Sequence, residues 1–133
     1  MIQKFTNLYV TDNSGAIAVR VFQTYPGNRK IVPVGSIVRH SVKKIHRILP
    51  WGKQLRGRRK RIICRSQCGR SWIVQTSYQI PYIDGATLRF SKNRVLLVKR
   101  KRGIRIYRGR RIYGLTTRAV NNERTINLFR ICI

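Results

Sequence analysis

Acidic side chains are almost absent from this sequence. Asp12, Asp84 and Glu123 stand against 30 Lys and Arg, giving a formal net charge of +27 and a sequence pI of about 11.8. Three acids cannot neutralise thirty bases, and self-repulsion of one sign opposes compaction, so the counter-charge has to come from outside the chain. A phosphate polymer supplies it most densely. The same scarcity leaves no paired carboxylates for acid–base catalysis. His40 and His46 have no carboxylate partner visible in the sequence, and neither GxxxxGK[ST] nor GxGxxG occurs. Enzymatic function is therefore not expected; its one residual form is a Cys–His pair drawn from Cys64 or Cys68 and the two histidines.

Cysteine is also sparse. Cys64, Cys68 and Cys132 are odd in number and without framework spacing, which argues against a disulfide scaffold. Cys64-x-x-x-Cys68 would be half of a zinc site, but Cys132, His40 and His46 do not lie at finger-like distances, so the expectation is no metal and no cofactor. No apolar run reaches 18 residues, so no membrane-spanning helix and no membrane partner are expected. The N-terminus shows neither an h-region with a cleavage site nor an Arg/Ser-rich presequence, and the chain is expected to begin directly with structure.

What is present is a foldable chain. Hydrophobic residues make up 42% and run through its whole length, enough for one small core rather than a disordered basic tail. Arg outnumbers Lys by 21 to 9. The guanidinium fork bonds phosphate with two donors and stacks on bases, which favours close contact with folded RNA.

Along the chain the pattern is short strands broken by turns. Leu8-Tyr9-Val10-Thr11 runs into Asp12-Asn13-Ser14-Gly15, a strong turn signal with Asp12 placed to form an Asx turn. Residues 16–25 alternate apolar and polar, and strands are also expected at 31–34, from Ile37 onward, at 60–66 around Ile62-Ile63-Cys64, and at 71–80. Asp84-Gly85 marks another turn. Residues 86–90 and 94–98 suggest a hairpin with Lys92-Asn93 at its tip. Thr117 to Asn122 suit one helical turn, and the apolar tail from Ile126 is expected to pack back on the core. Many short strands with little helix predict a small β-barrel. The expected organisation is one domain over 1–133: barrel roughly 1–98, basic loop 99–111, C-terminal segment 112–133.

Two charge runs stand out. Arg56, Arg58, Arg59, Lys60 and Arg61 follow Lys53 in the first. The second holds eight bases in thirteen residues: Lys99, Arg100, Lys101, Arg102, Arg105, Arg108, Arg110 and Arg111. Gly103 and Gly109 would let its backbone approach a phosphate, and Trp51 and Trp72 suit core or base-stacking positions. The first run, with Lys53, and the second as far as Arg108 are the expected RNA-backbone contacts. Such contacts position the protein and carry little sequence information.

Quoted in order, the motifs resemble one family. Met1-Ile2-Gln3 and Leu8-Tyr9-Val10-Thr11-Asp12-Asn13-Ser14-Gly15-Ala16 are similar to the opening of the universal large-subunit ribosomal protein number fourteen. Val34-Gly35-Ser36-Ile37-Val38 resembles that family's Val-Gly-Asp-Ile-Ile. Gly52-Lys53 and Gly57 fall in its basic Gly-Lys segment, and Ile62-Ile63-Cys64-Arg65 resembles its Val-Val-Val-Arg. Asp84-Gly85, Leu88-Arg89-Phe90 and Asn93-Arg94-Val95-Leu96-Leu97 keep its next block. Gly109-Arg110-Arg111-Ile112-Tyr113-Gly114 with Thr117-Arg118 resembles its last. The resemblance spans nearly the whole chain.

The resemblance implies a five-stranded β-barrel with a protruding β-hairpin and a short helical C-terminal part. It implies a structural constituent of the large subunit that binds its rRNA near the subunit interface and supports translation. The implied partners are protein number nineteen of bacterial ribosomes, small-subunit rRNA across a bridge, and a ribosome-silencing factor docking on a face with Arg110, Arg111, Tyr113 and Arg118. No homo-oligomer is implied. Asp12, Asn13, Ser14, Gly15, Asp84 and Gly85 are expected to shape turns. Departures concentrate on charge. Ser36 and Arg58 replace acids, Ser91-Lys92 replaces an Asp-Gly, Arg110 replaces a Thr, and Ile17-Ala18 replace two bases. A bacterial-type frame with so few acids suggests the mitochondrial ribosome in the matrix, with bacterial cytoplasm or plastid as alternatives. The contrasting functional class is a free RNA chaperone or nucleoid-type binder.

Overall fold

The computed structural model describes residues 2–25, 30–46, 63–101, 104–109, 111–117, 120 and 129. Within them the chain is mainly β. Ten strands follow in order: β1 (Ile2–Gln3), β2 (Asn7–Val10), β3 (Ala16–Thr24), β4 (Ile31–Val32), β5 (Ile37–Ile45), β6 (Cys68–Gln75), β7 (Ile80–Pro81), β8 (Thr87–Leu88), β9 (Arg94–Lys101) and β10 (Ile104–Tyr107).

Five of these close a mixed barrel. β2, β3, β5 and β6 pair antiparallel in succession. β9 then pairs antiparallel with β6 and parallel with β2, through Tyr9↔Arg94 and Val10↔Val95. Closure removes the free edges that a lone sheet would expose. Alternation fills the interior: Leu8, Val19, Val21, Val38, Val42, Ile73, Val95 and Leu97 are all buried in one cluster.

A second cluster lies on the outside of β6 and β9, where Val74 and Leu96 are buried with Phe129, and Trp72, Tyr107 and Ile112 pack against them. Val95-Leu96-Leu97-Val98 is apolar without a break for this reason: Val95 and Leu97 face the barrel interior, while Leu96 on the other face is buried with Phe129 of the C-terminal segment.

Three readings from the sequence are corrected. Residues 86–90 and 94–98 do not pair with each other. Thr87–Leu88 pairs back with Ile80–Pro81, leaving Asp84-Gly85 in the connection, and β9 joins β6, β2 and β10. Asn93 acts as a spacer instead: its side-chain oxygen accepts from the Ser77 N–H at 2.8 Å, and its carbonyl accepts from the Tyr9 N–H at 2.9 Å. The strand expected over 60–66 is absent from its described part. The chain turns at Ser66, with φ of 65°, and β6 begins at Cys68. Finally, the stretch 99–111 is not simply a loop. β9 continues to Lys101 and β10 returns, pairing Ile104↔Lys101, Arg105↔Arg100, Ile106↔Lys99 and Tyr107↔Val98. Among the described strands this hairpin has no barrel partner beyond Val98, so it projects from them. The expected C-terminal helical turn lies mostly outside the described residues; within them the Val120 N–H donates to the Thr117 carbonyl at 3.1 Å.

Candidate nucleic-acid interface

The base of the projecting hairpin is held by a clasp built on the first turn. Asp12 is buried. One of its carboxylate oxygens accepts the Ser14 N–H at 2.8 Å, an Asx turn, and the other accepts the Leu97 N–H at 2.9 Å from β9. Gly15 completes the turn at φ 98°. The chain leaving β10 is sewn to the same turn. The Asn13 N–H donates to the Arg111 carbonyl at 3.1 Å, the Arg111 N–H to the Asn13 side-chain oxygen at 3.0 Å, and the Tyr113 N–H to the Thr11 carbonyl at 2.8 Å. The Thr11 hydroxyl donates to the Tyr113 carbonyl, and the Gln75 amide to the Leu115 carbonyl. A Cβ on Gly109 would sit 2.6 Å from the Asp12 Cβ. Gly109 therefore serves a close approach within the protein, not the approach to phosphate expected from the sequence.

The clasp places the basic residues as follows. Lys99 is exposed on β9. Arg100, Lys101 and Arg105 occupy register positions on the two hairpin strands, and Arg100 and Arg105 stand directly opposite. Arg108 is half-buried: its N–H donates to the Leu97 carbonyl at 2.8 Å and its guanidinium to the Gln67 side-chain oxygen at 3.4 Å. Arg111 and Tyr113 are exposed along the clasp. Lys53, Arg56, Arg58, Arg59, Lys60, Arg61, Arg102, Arg110 and Arg118 lie outside the described residues.

A second basic cluster was missed in the sequence. Arg39 of β5 and Arg70 of β6 are register partners on the barrel's outer face. Their guanidinium carbons lie 5.9 and 6.0 Å from the centroid of the Tyr25 ring. Arg39 also donates to the Gln23 side-chain oxygen at 3.3 Å. Two guanidiniums against one aromatic ring, with no carboxylate among these contacts, make a site suited to a phosphate. Strict alternation was the available signal, since it puts Arg39 on the face opposite Val38 and His40; the pairing with Arg70 needed the register. Elsewhere on the barrel the Lys92 ammonium lies 4.9 Å from the Tyr9 ring centroid.

Inside the barrel, beneath Arg39, His40 is buried. Its Nδ1 lies 3.0 Å from the Ser71 hydroxyl oxygen, and its Nε2 would meet a Cβ on Gly69 at 3.0 Å. Burial, reinforced by the charge of Arg108, pushes its pKa down to about 4, so it is a neutral core group. Cys64 and Cys68 are exposed at the turn before β6, and among the described residues no cluster of three or more His, Cys, Asp or Glu could hold a metal ion.

A closed five-stranded barrel with a projecting hairpin is the architecture that the resemblance implied. The sequence matches the model of the family described as ribosomal protein L14p/L23e across residues 1–131. The chain belongs to this family. It is a large-subunit ribosomal protein, and its place is the ribosome. The L14 family is in general structural and non-enzymatic, and membership implies binding to rRNA and to other ribosomal proteins.

Proposed function

We propose that this L14-family chain is a scaffold that neutralises large-subunit rRNA near the subunit interface and so supports translation. The observation that carries the reading is the family match over residues 1–131 in a chain of net charge +27. The barrel holds basic groups at fixed spacing, and the groups meet phosphates where RNA helices converge. Lys99, Arg100, Lys101, Arg102, Arg105 and Arg108 form one set on and beside the projecting hairpin. Lys53, Arg56, Arg58, Arg59, Lys60 and Arg61 form another, and Arg39 with Arg70 adds a third. Arg110, Arg111, Tyr113 and Arg118 form the face turned to small-subunit rRNA, to protein number nineteen and to a silencing factor. The shortage of acids supports a mitochondrial ribosome as the home of the chain.

The test is the salt dependence of binding to large-subunit rRNA. Each phosphate contact removed should flatten the log–log slope by ~0.7–0.9. Replacing Arg100 and Arg102 with Ala is expected to lower it by twice that amount. An unchanged slope overturns the hairpin assignment.

A further inference from the structure

Bases occur throughout this chain, yet from Ser71 to Leu88 there is neither Lys nor Arg, the longest such interval in the sequence. Its second half is the β7–β8 hairpin, which pairs only with itself among the described strands. Ile83 at its connection is fully exposed, and Tyr78 is 52% exposed. Beside them lies an open groove of about 190 Å³ lined by uncharged side chains, among them Pro33, Val34, Tyr78, Ile80 and Pro81. Next to Ile83 stands Asp84, exposed, whereas Asp12, the other described acid, is buried.

An RNA surface fits this hairpin badly. It offers phosphate no cation, and its carboxylate repels phosphate. A protein surface with apolar side chains for the groove and Ile83, and a Lys or Arg for Asp84, fits on every count. We propose that the β7–β8 hairpin is a protein-docking surface whose occupant is a basic segment of a neighbouring large-subunit protein, inserting an apolar side chain into the groove and pairing a cation with Asp84. The surface is distinct from the clasp residues Arg111 and Tyr113. The proposal rests on the ribosomal reading above, which it extends by assigning protein contact to one face and RNA contact to the others.

Purified large subunits containing the chain, treated with a carbodiimide, test it. The carboxylate of Asp84 adds to the carbodiimide as an O-acylisourea; a lysine amine of the neighbour then attacks its acyl carbon, the amide forms, and the carbodiimide leaves as its urea. An Asp84 amide to another ribosomal protein, absent in the Asp84→Asn variant, is the expected result. If the neighbour's cation is Arg, Asp84 is instead shielded from coupling to added glycinamide, relative to the free chain, and Ile83→Ala restores that coupling. Because Ile83 is fully exposed in the free chain, Ile83→Ala leaves folding and the rRNA salt slope unchanged, and any loss reports the partner. Its expected cost to docking is roughly tenfold, as for one newly buried aliphatic side chain. Two results overturn the proposal: Asp84 coupling as freely in the subunit as in the isolated chain, or residues 78–84 photo-crosslinking to rRNA. Absence of the chain from large subunits would instead refute the ribosomal reading beneath it.

Discussion

The carboxylate of Asp12 accepts the backbone N–H of Leu97 at 2.9 Å, joining the first turn of the chain to the middle of β9. The same side chain caps Ser14 and fills the space where Gly109 lacks a Cβ. One buried acid thus fixes the root of the basic hairpin against the barrel.

Asp12→Ala is expected to destabilise the free chain by about 2–4 kcal/mol, because it strips two charge-assisted hydrogen bonds and leaves the Leu97 N–H without its acceptor. Urea unfolding measures this. A loss below about 0.5 kcal/mol would show that the clasp adds nothing to the fold.

Gly109→Ala puts a methyl 2.6 Å from the Asp12 Cβ. Both atoms are fixed by backbone, so the strand pair has to shift, at a cost of roughly 1–3 kcal/mol. The displacement should also break the Asp12–Leu97 bond. The double variant with Asp12→Ala is therefore expected to lose less than the sum of the two single losses.

His40 gives a pH signature. Its pKa is lowered from the ordinary 6.5 to about 4 in the folded chain, so between those values the unfolded state binds a proton that the folded state does not. Stability from this group is present above pH 6.5 and is lost as pH falls towards 4, by at most about 3 kcal/mol. His40→Gln should remove that part of the acid sensitivity. An identical stability–pH slope in the two chains would contradict it.

Arg39 and Arg70 predict opposite effects on fold and binding. Single Ala variants relieve a like-charge pair, so the free chain should lose no stability, while the rRNA salt slope falls by ~0.7–0.9 per lost phosphate contact. Reduced stability with an unchanged slope would assign the pair to packing on Tyr25 alone.

The barrel was legible because its strands alternate cleanly: Val19, Val21, Val38 and Val42 mark an inward face by their spacing alone. The Asx turn at Asp12 was legible for the same local reason. Its second bond was not, since Leu97 is distant in sequence and its N–H carries no signature. The hairpin at 86–98 was misplaced because Val95 to Val98 is buried on both faces, and such a run states no partner. The extension of β9 and β10 was hidden by charge, because Lys99, Arg100 and Lys101 resemble a solvated loop until their register with Arg105 and Ile106 is known. The Arg39–Arg70 site depended wholly on register.

The central claim is that rRNA of the large subunit holds this chain and supplies its missing negative charge. The direct measurement is the amount of the chain that remains with purified large subunits after a high-salt wash. One copy per subunit, retained alongside the other structural proteins, is the predicted result. Release of the chain into the wash, as for a free RNA chaperone, would contradict it.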